Sequence, residues 1–195
     1  MATCGEATVS FGFDCDTPLS GGTGNRAYII NFEDWKAATK GTLAGNRFVK
    51  TAITFAVATP ATKAFYVDGK NNSNAPSFAL VKQTYADVYD HTFNWLCFDL
   101  SNDSKEALFG MVGGKYVVVY ENNFQGTGGE SAFEILGANA GLEFKTFTRD
   151  PLNNDNQGAY VISMATPDVG KEPDGPYSFF DTDYATTKAA LEALL

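Results

Sequence analysis

Four groups of residues in this 195-residue chain have types and spacing that could support chemistry. The first is QGTGGES, residues 125–131, a glycine-rich run of the kind that cradles a phosphate. Such a cradle needs inward N–H groups at a helix start and a Lys or Ser/Thr to complete it. Gly126, Gly128 and Gly129 supply the flexibility only. No Gly-Lys-Ser/Thr closes the run, no glycine falls where a dinucleotide fingerprint needs its third, and Glu130 would repel a phosphate. Tyr116–Tyr120 before it is β-branched and aromatic, and Ser131–Leu136 after it alternates with a period of two, so the glycines are expected to join two antiparallel strands.

The second is His91, the only histidine. A Ser-His-Asp or Cys-His system would have to be built on it, and no GxSxG elbow or other nucleophile motif accompanies it. In YADVYDHTFNW, among alternating aromatics, it reads as a structural residue near a strand end. The third is DPLNNDNQG, residues 150–158, where oxygen ligands crowd as in a calcium loop. With Asn153, Asp155 and Gln157 as early ligands, the twelfth position falls on Met164 where a Glu is required. A polar turn whose Asn and Asp side chains bond their own backbone is the better account. The fourth is the aromatic series Tyr85, Tyr89, Phe93, Trp95 and Phe98. A stacking platform combines aromatics with positive charge, yet no Lys or Arg lies between Lys82 and Lys105, so core packing or a subunit contact is expected. No two carboxylates stand out as a glycosidase pair. Cys4, Cys15 and Cys97 fit no zinc spacing and read as reduced thiols, with a Cys4–Cys15 bridge as the alternative. No catalytic residue, cofactor or metal is therefore expected, and the chain does not read as an enzyme.

The elements that would position these residues are mostly strands. Runs at Thr8–Phe13, Arg26–Phe32, Phe48–Ala58, Ala64–Asp68, Ser77–Lys82, Thr92–Asp99, Lys115–Tyr120, Ala132–Leu136, Leu142–Thr148 and Ala159–Thr166 have strand character. Breaks fall at SGGTGN, GTLAGN, DGKNNSNAP, GTGG, GANAG and DPLNNDNQG. This regular spacing predicts a mainly β (α+β) fold, an antiparallel sandwich or barrel. A helix is expected at about 102–112, started by Asn102-Asp103-Ser104 with an Asp103…Glu106 capping box and stopped by Gly113-Gly114. A C-terminal helix carries Tyr184, Lys188, Leu191 and Leu195 behind Asp181–Asp183, and a third covers Glu33–Thr39. TPDVGKEPDGPYSFF is too proline-rich for a strand or helix. The chain thus divides into a β body at 1–166 and an extended arm with the last helix at 167–195.

An apolar content of 44% excludes a mainly disordered chain, and no apolar run approaches a membrane span. The N-terminus carries no basic or long apolar leader, which predicts a soluble protein folding in the cytoplasm. Net charge is −9, with 9 acids against 8 bases in residues 1–100 and 14 against 6 in 101–195. An acidic surface cannot displace counterions from phosphates, so nucleic-acid gripping is excluded. Solubility is the plain reason for such acidity, and a wall that DNA must pass without sticking is the other.

The stretches YVVVYENNFQGTGGESAFEILGANAGLEF, RDPLNNDNQGAYVISMATP and YSFFDTDYATTKAALEALL resemble the C-terminal half of major tail (tail tube) proteins of tailed phages. GFDCDTPLSGGTGNRAYIINFEDW and YDHTFNWLCFDLS resemble the same family's earlier part. The resemblance implies a β-sandwich of the tail-tube type with a flanking helix, hexameric rings stacked into a hollow tube, and DNA ejection through the lumen. It implies a place in the virion tail after assembly in the host cytoplasm. The implied partners are further copies of the chain and the tape measure, baseplate and terminator proteins; DNA passes without specific binding, and no membrane is involved. Another virion protein, for head–tail completion or capsid decoration, and a carbohydrate-binding β-sandwich are the alternative readings. Within 59–76, Phe65, Tyr66 and Val67 are too apolar for a solvated loop and are candidates for contact with an adjacent ring. Glu121, Glu130, Glu134, Glu143, Asp150 and Asp155 are candidates for a lumen wall, with only those on one strand face able to serve.

Overall fold

The computed structural model describes residues 21–55, 64–70 and 73–195. The strand expected at Thr8–Phe13, the cysteines at 4 and 15, and residues 56–58 of the third expected strand lie outside the described residues. In chain order the elements are β1 (Thr23–Asn31), α1 (Phe32–Ala37), β2 (Thr39–Leu43), β3 (Asn46–Thr54), β4 (Ala64–Asp68), β5 (Ala75–Lys82), β6 (Asp87–Cys97), α2 (Asn102–Met111), β7 (Lys115–Asn122), β8 (Phe133–Leu136), β9 (Leu142–Arg149), β10 (Tyr160–Ala165), β11 (Tyr177–Phe179) and α3 (Tyr184–Glu192).

β7 organises the core. Between Tyr116 and Tyr120 it has no charged residue, so both of its faces can be buried. Tyr116, Val118 and Tyr120 pack with Ala27, Ile29, Phe93, Trp95, Ile162 and Met164. Val117 and Val119 pack on the other face with Tyr28, Trp35, Phe133, Phe179 and Leu191. The first cluster lies between β1, β7 and β8 on one side and β6, β9 and β10 on the other; the second lies under α1, α3, β3 and β11. One edge of β7 takes β1, from Asn31↔Tyr116 to Ala27↔Tyr120. The other takes β8 along Val118–Glu121 and then β9 at Lys115 and Tyr116. The full order is β2-β3-β11-β8-β7-β9-β10-β6-β5, with β4 beside β1.

The protein is mainly β, and four expectations need correction. The sheet is mixed rather than antiparallel, because β11 runs parallel to β3 through Val49↔Ser178 and Lys50↔Phe179. β11 sits inside the segment that looked too proline-rich for a strand; it starts directly after Pro176, and Tyr177 and Phe179 point into the core while Ser178 does not. β2 uses Gly41–Leu43 from the presumed GTLAGN break, with irregular register at Gly41/Thr42 and Thr42/Leu43. The start of α2 also differs. Ser101 is its N-cap, accepting from the Ser104 N–H at 3.2 Å, while Asp99 binds the hydroxyls of both serines. A serine one residue earlier satisfies the free N–H groups, so the Asp103…Glu106 box is not needed.

QGTGGES does join two antiparallel strands, β7 and β8, through a short 3-10 turn at Thr127–Gly129. Gly129 has φ +93°, and a Cβ there would lie 2.5 Å from the Tyr184 Cβ. The third glycine thus lets the start of α3 seat against the turn, where Tyr184 stacks on Phe133 at 5.7 Å.

Candidate assembly interface

Among the described residues three strands have a neighbour on one side only: β2, β4 and β5. They differ in how well they could receive another strand. β2 is short and twice irregular, which blunts an edge. β4 has five residues. β5 keeps regular register with β6 over eight consecutive pairs, Ala75↔Asn94 to Lys82↔Asp87, and beyond Pro76, which has no N–H, its outer backbone groups from Ser77 to Lys82 form a regular row. It carries no acid, and its Phe78 and Leu80 are 55% and 50% exposed on the same face. Tyr85, in the β5–β6 turn, is 99% exposed. The aromatic series therefore splits: Phe93 and Trp95 are core, while Tyr85 is on the surface.

Phe65, Tyr66 and Val67 lie on β4, paired with β1 through Ile29↔Phe65 to Ala27↔Val67. Phe65 and Tyr66 are about half exposed, whereas Val67 packs against the core. Tyr66 lies under the Arg26 guanidinium, 4.4 Å from its ring centre, and Arg26 pairs with Asp68 at 2.7 and 3.0 Å. This part of 59–76 is thus a sheet strand rather than a projecting loop. Ala64 is fully buried and Asn74 holds the Asn25 carbonyl at 2.8 Å, so excising 64–74 would damage the fold.

The six acids separate into distinct roles. Glu121 has a side chain only 14% exposed and receives Tyr184 Oη at 2.6 Å and Lys188 Nζ at 3.3 Å, anchoring α3. Glu134 stands opposite Tyr120 and accepts its hydroxyl; burial and this carboxylate push the Tyr120 phenol far above its ordinary pKa. Glu143 pairs with Lys145 at 2.9 Å. Asp150 accepts from the Leu152 N–H, in a turn where Asn153 and Asn156 likewise bind the backbone, the Asx arrangement expected for DPLNNDNQG. Glu130 and Asp155 are exposed and make no ion pair among the described residues.

The residues that sequence reasoning passed over are Glu172 and the GANAG turn, 137–141. Glu172 is 1% exposed although it lies in the proline-rich segment. Its carboxylate accepts from Asn139 N at 3.0 and 3.1 Å, Ala140 N at 2.7 Å and Asn139 Nδ2 at 2.9 Å. The same turn donates Gly137 N–H to His91 Nδ1 at 3.2 Å and accepts Trp35 Nε1 at the Ala138 carbonyl, 2.8 Å. His91 is 1% exposed and lies mid-strand in β6. Burial holds its pKa below the ordinary value, against the pull of Glu172, the Asp174 carbonyl and Asp90. The cluster joins β6, the 137–141 turn and the segment around Glu172, which are far apart in the chain. Among the described residues no His, Cys, Asp or Glu cluster could hold a metal, and no helix is long and apolar enough to cross a membrane.

No protein-family model, curated protein or solved structure matches this chain.

Proposed function

We propose that the chain is a structural subunit of a phage tail tube, self-assembling into stacked hexameric rings through whose lumen DNA passes during ejection. The observation that carries this reading is β5, which among the described residues has a strand neighbour on one side only and is regular and acid-free, with half-exposed Phe78 and Leu80, on a chain of net charge −9. The residues that blunt an edge, Pro76 and Lys82, stand near the two ends of β5, which leaves Ser77–Val81 open to pair with another strand.

Magnitudes favour a closed ring over an isolated dimer. Burying the exposed halves of Phe78 and Leu80 contributes roughly 1 kcal/mol each, and a few edge hydrogen bonds add about 1 kcal/mol apiece. Association costs on the order of 4–15 kcal/mol in lost freedom, so one edge contact is marginal. A ring gives every subunit two such contacts, and stacking adds more, so assembly becomes cooperative. The partners in this reading are other copies of the chain, with tape measure, baseplate and terminator proteins at the ends of the tube. Its place is the virion tail, and no catalytic step is assigned to it.

Negative-stain electron microscopy with sedimentation velocity tests the proposal on the purified full chain. Rings or tubes above a threshold concentration are expected. A species that stays monomeric across a hundredfold concentration range would sink it.

A further inference from the structure

We propose that His91, the 137–141 turn and Glu172 form an acid-sensitive latch, which holds the 166–176 strap across β6 at neutral pH and releases it as the pH falls.

The strap is tied to three consecutive residues of β6. Thr166 N–H donates to the His91 carbonyl at 3.0 Å, Glu172 and Tyr89 exchange backbone bonds at 2.7 and 3.1 Å, and Lys171 pairs with Asp90 at 2.9 Å. The Glu172 side chain then passes to the turn, where the Asn139 and Ala140 N–H groups receive it. The turn in turn rests on His91 through Gly137 N–H. A closed loop of contacts results, from β6 to strap to turn and back to β6.

Proton placement makes that loop sensitive to acid. Because Nδ1 accepts from Gly137, the neutral ring carries its hydrogen on Nε2, which is buried near the Asp174 carbonyl but outside good hydrogen-bond geometry. A second proton can only go to Nδ1, where it would face the Gly137 N–H, donor against donor. Charging the ring therefore removes the turn's support and puts a cation in a site closed to water. Gly137 has little room to yield: a Cβ on it would lie 2.8 Å from Leu142 Cγ and 3.1 Å from the Tyr116 carbonyl.

The surrounding charges are Glu172 and Lys171 on the strap, Asp90 on β6, and Asp174 paired with Arg47 of β3 at 2.8 Å. The nearby phenols are Tyr89 and Tyr177, and β5 supplies only the uncharged Phe78 ring, edge-on at 6.3 Å. Glu172 and Asp90 favour the imidazolium, yet burial outweighs them. The unfolded chain takes up this proton near pH ~6.5 and the folded chain lower. The latch is thus complete above that value and weakens as pH falls from there through the folded pKa. Burial raises the Asp90 pKa, but hydrogen bonds from Thr166 and Lys171 bring it below the ordinary carboxylate value, so Asp90 titrates below this window.

Hydrogen exchange read by mass spectrometry on the full chain, from pH 7.5 to 5 and corrected for intrinsic rates, tests the latch. Protection of 137–141 and 166–176 should fall by up to about tenfold per pH unit below ~6.5, the slope of one proton, while β7 stays protected. Equal protection of the strap across the range overturns the proposal. Glu172→Gln separates the imidazole from the carboxylate: it removes an attraction for the imidazolium in the closed latch only, so from a lower starting protection the fall should still begin near ~6.5 and should level off at a lower pH. Abolition of the fall in that variant would make the carboxylate the sensor and overturn the role of His91. Nitrogen NMR should find the Nε2–H tautomer at neutral pH, and the Nδ1–H tautomer would equally refute the scheme.

Discussion

Replacing Glu172 by Ala is the sharpest test of what holds the C-terminal segment to the sheet. The carboxylate is 1% exposed and satisfies three donors: the backbone N–H groups of Asn139 and Ala140, and Asn139 Nδ2. Leaving a buried donor unsatisfied costs about 1–3 kcal/mol. Asn139 Nδ2 keeps a bond to Tyr177 Oη at 3.2 Å, so its loss is at the low end. The two backbone groups have no alternative acceptor unless the turn opens to water. Allowing for partial hydration, about 3 kcal/mol is expected, a large share of the roughly 5–15 kcal/mol typical of a domain. With a urea m value of roughly 2 kcal/mol/M, the midpoint should drop by about 1.5 M at unchanged m. Glu172→Gln keeps one acceptor oxygen but turns an NH2 toward the Asn139 amide, so about half that loss is expected. A Glu172→Ala loss under about 1 kcal/mol, or a Gln variant as damaged as the Ala one, would refute the account of Glu172 as the turn's acceptor.

Gly129→Ala forces a side chain at φ +93° into the Tyr184 backbone, 2.9 Å away. It should destabilise by about 2–4 kcal/mol, read as a lower urea midpoint, and a shift under about 0.5 kcal/mol would contradict the seating of α3. The double variant Phe78→Asp, Leu80→Asp places two acids on the β5 edge; it should keep the wild-type circular dichroism and sediment as a monomer at concentrations where the parent assembles. Assembly of that variant at the parental threshold would remove β5 from the interface.

The sequence made the strands legible because most are apolar runs bounded by turn residues. Ala64–Asp68 matches its expected bounds, and β7, the most apolar run, is the centre of the fold. β2 and β11 were hidden for different reasons. TKGTL has one large apolar residue and a glycine, so its strand state comes from pairing with β3 rather than from its own pattern. YSF is three residues long behind a proline, and its long-range pairing, with Val49 and Lys50 on one side and Glu134 and Ile135 on the other, makes it a strand. The Asx turn at 150–158 was readable because its hydrogen bonds are local. The Glu172 site was not, because its acceptor and donors lie more than 30 residues apart, and no local pattern distinguishes a buried Glu from a solvated one.

The distribution of the acids reshapes the question of what a DNA conduit made of this chain would present. Glu121 and Glu134 are committed to α3 and to Tyr120, and Glu143 to Lys145. That leaves Glu130, Asp150 and Asp155 exposed. They do not share one end of the sheet. Glu130 is in the connection after the last residue of β7, whereas β9 meets β7 only at Lys115 and Tyr116 and runs antiparallel past that first residue to its turn at 150–158. Six residues of β7 and seven of β9 separate the two sites, roughly 40 Å of strand path at ~3.3 Å per residue. A bore crossing the strands would therefore be lined by one group and not the other, while a bore running along them would be bordered by both. Reversing each group separately decides between these geometries. Glu130→Lys and Asp155→Lys should each leave folding and assembly intact, since neither carboxylate is in an ion pair among the described residues, whereas Asp150 is left in place because it accepts from the Leu152 N–H. In a tube whose bore crosses the strands, only the lumen-facing set should slow DNA release, by adding counterion-releasing contacts that become weaker with salt. Unchanged release in both variants at low salt would refute an acidic lumen built from these residues.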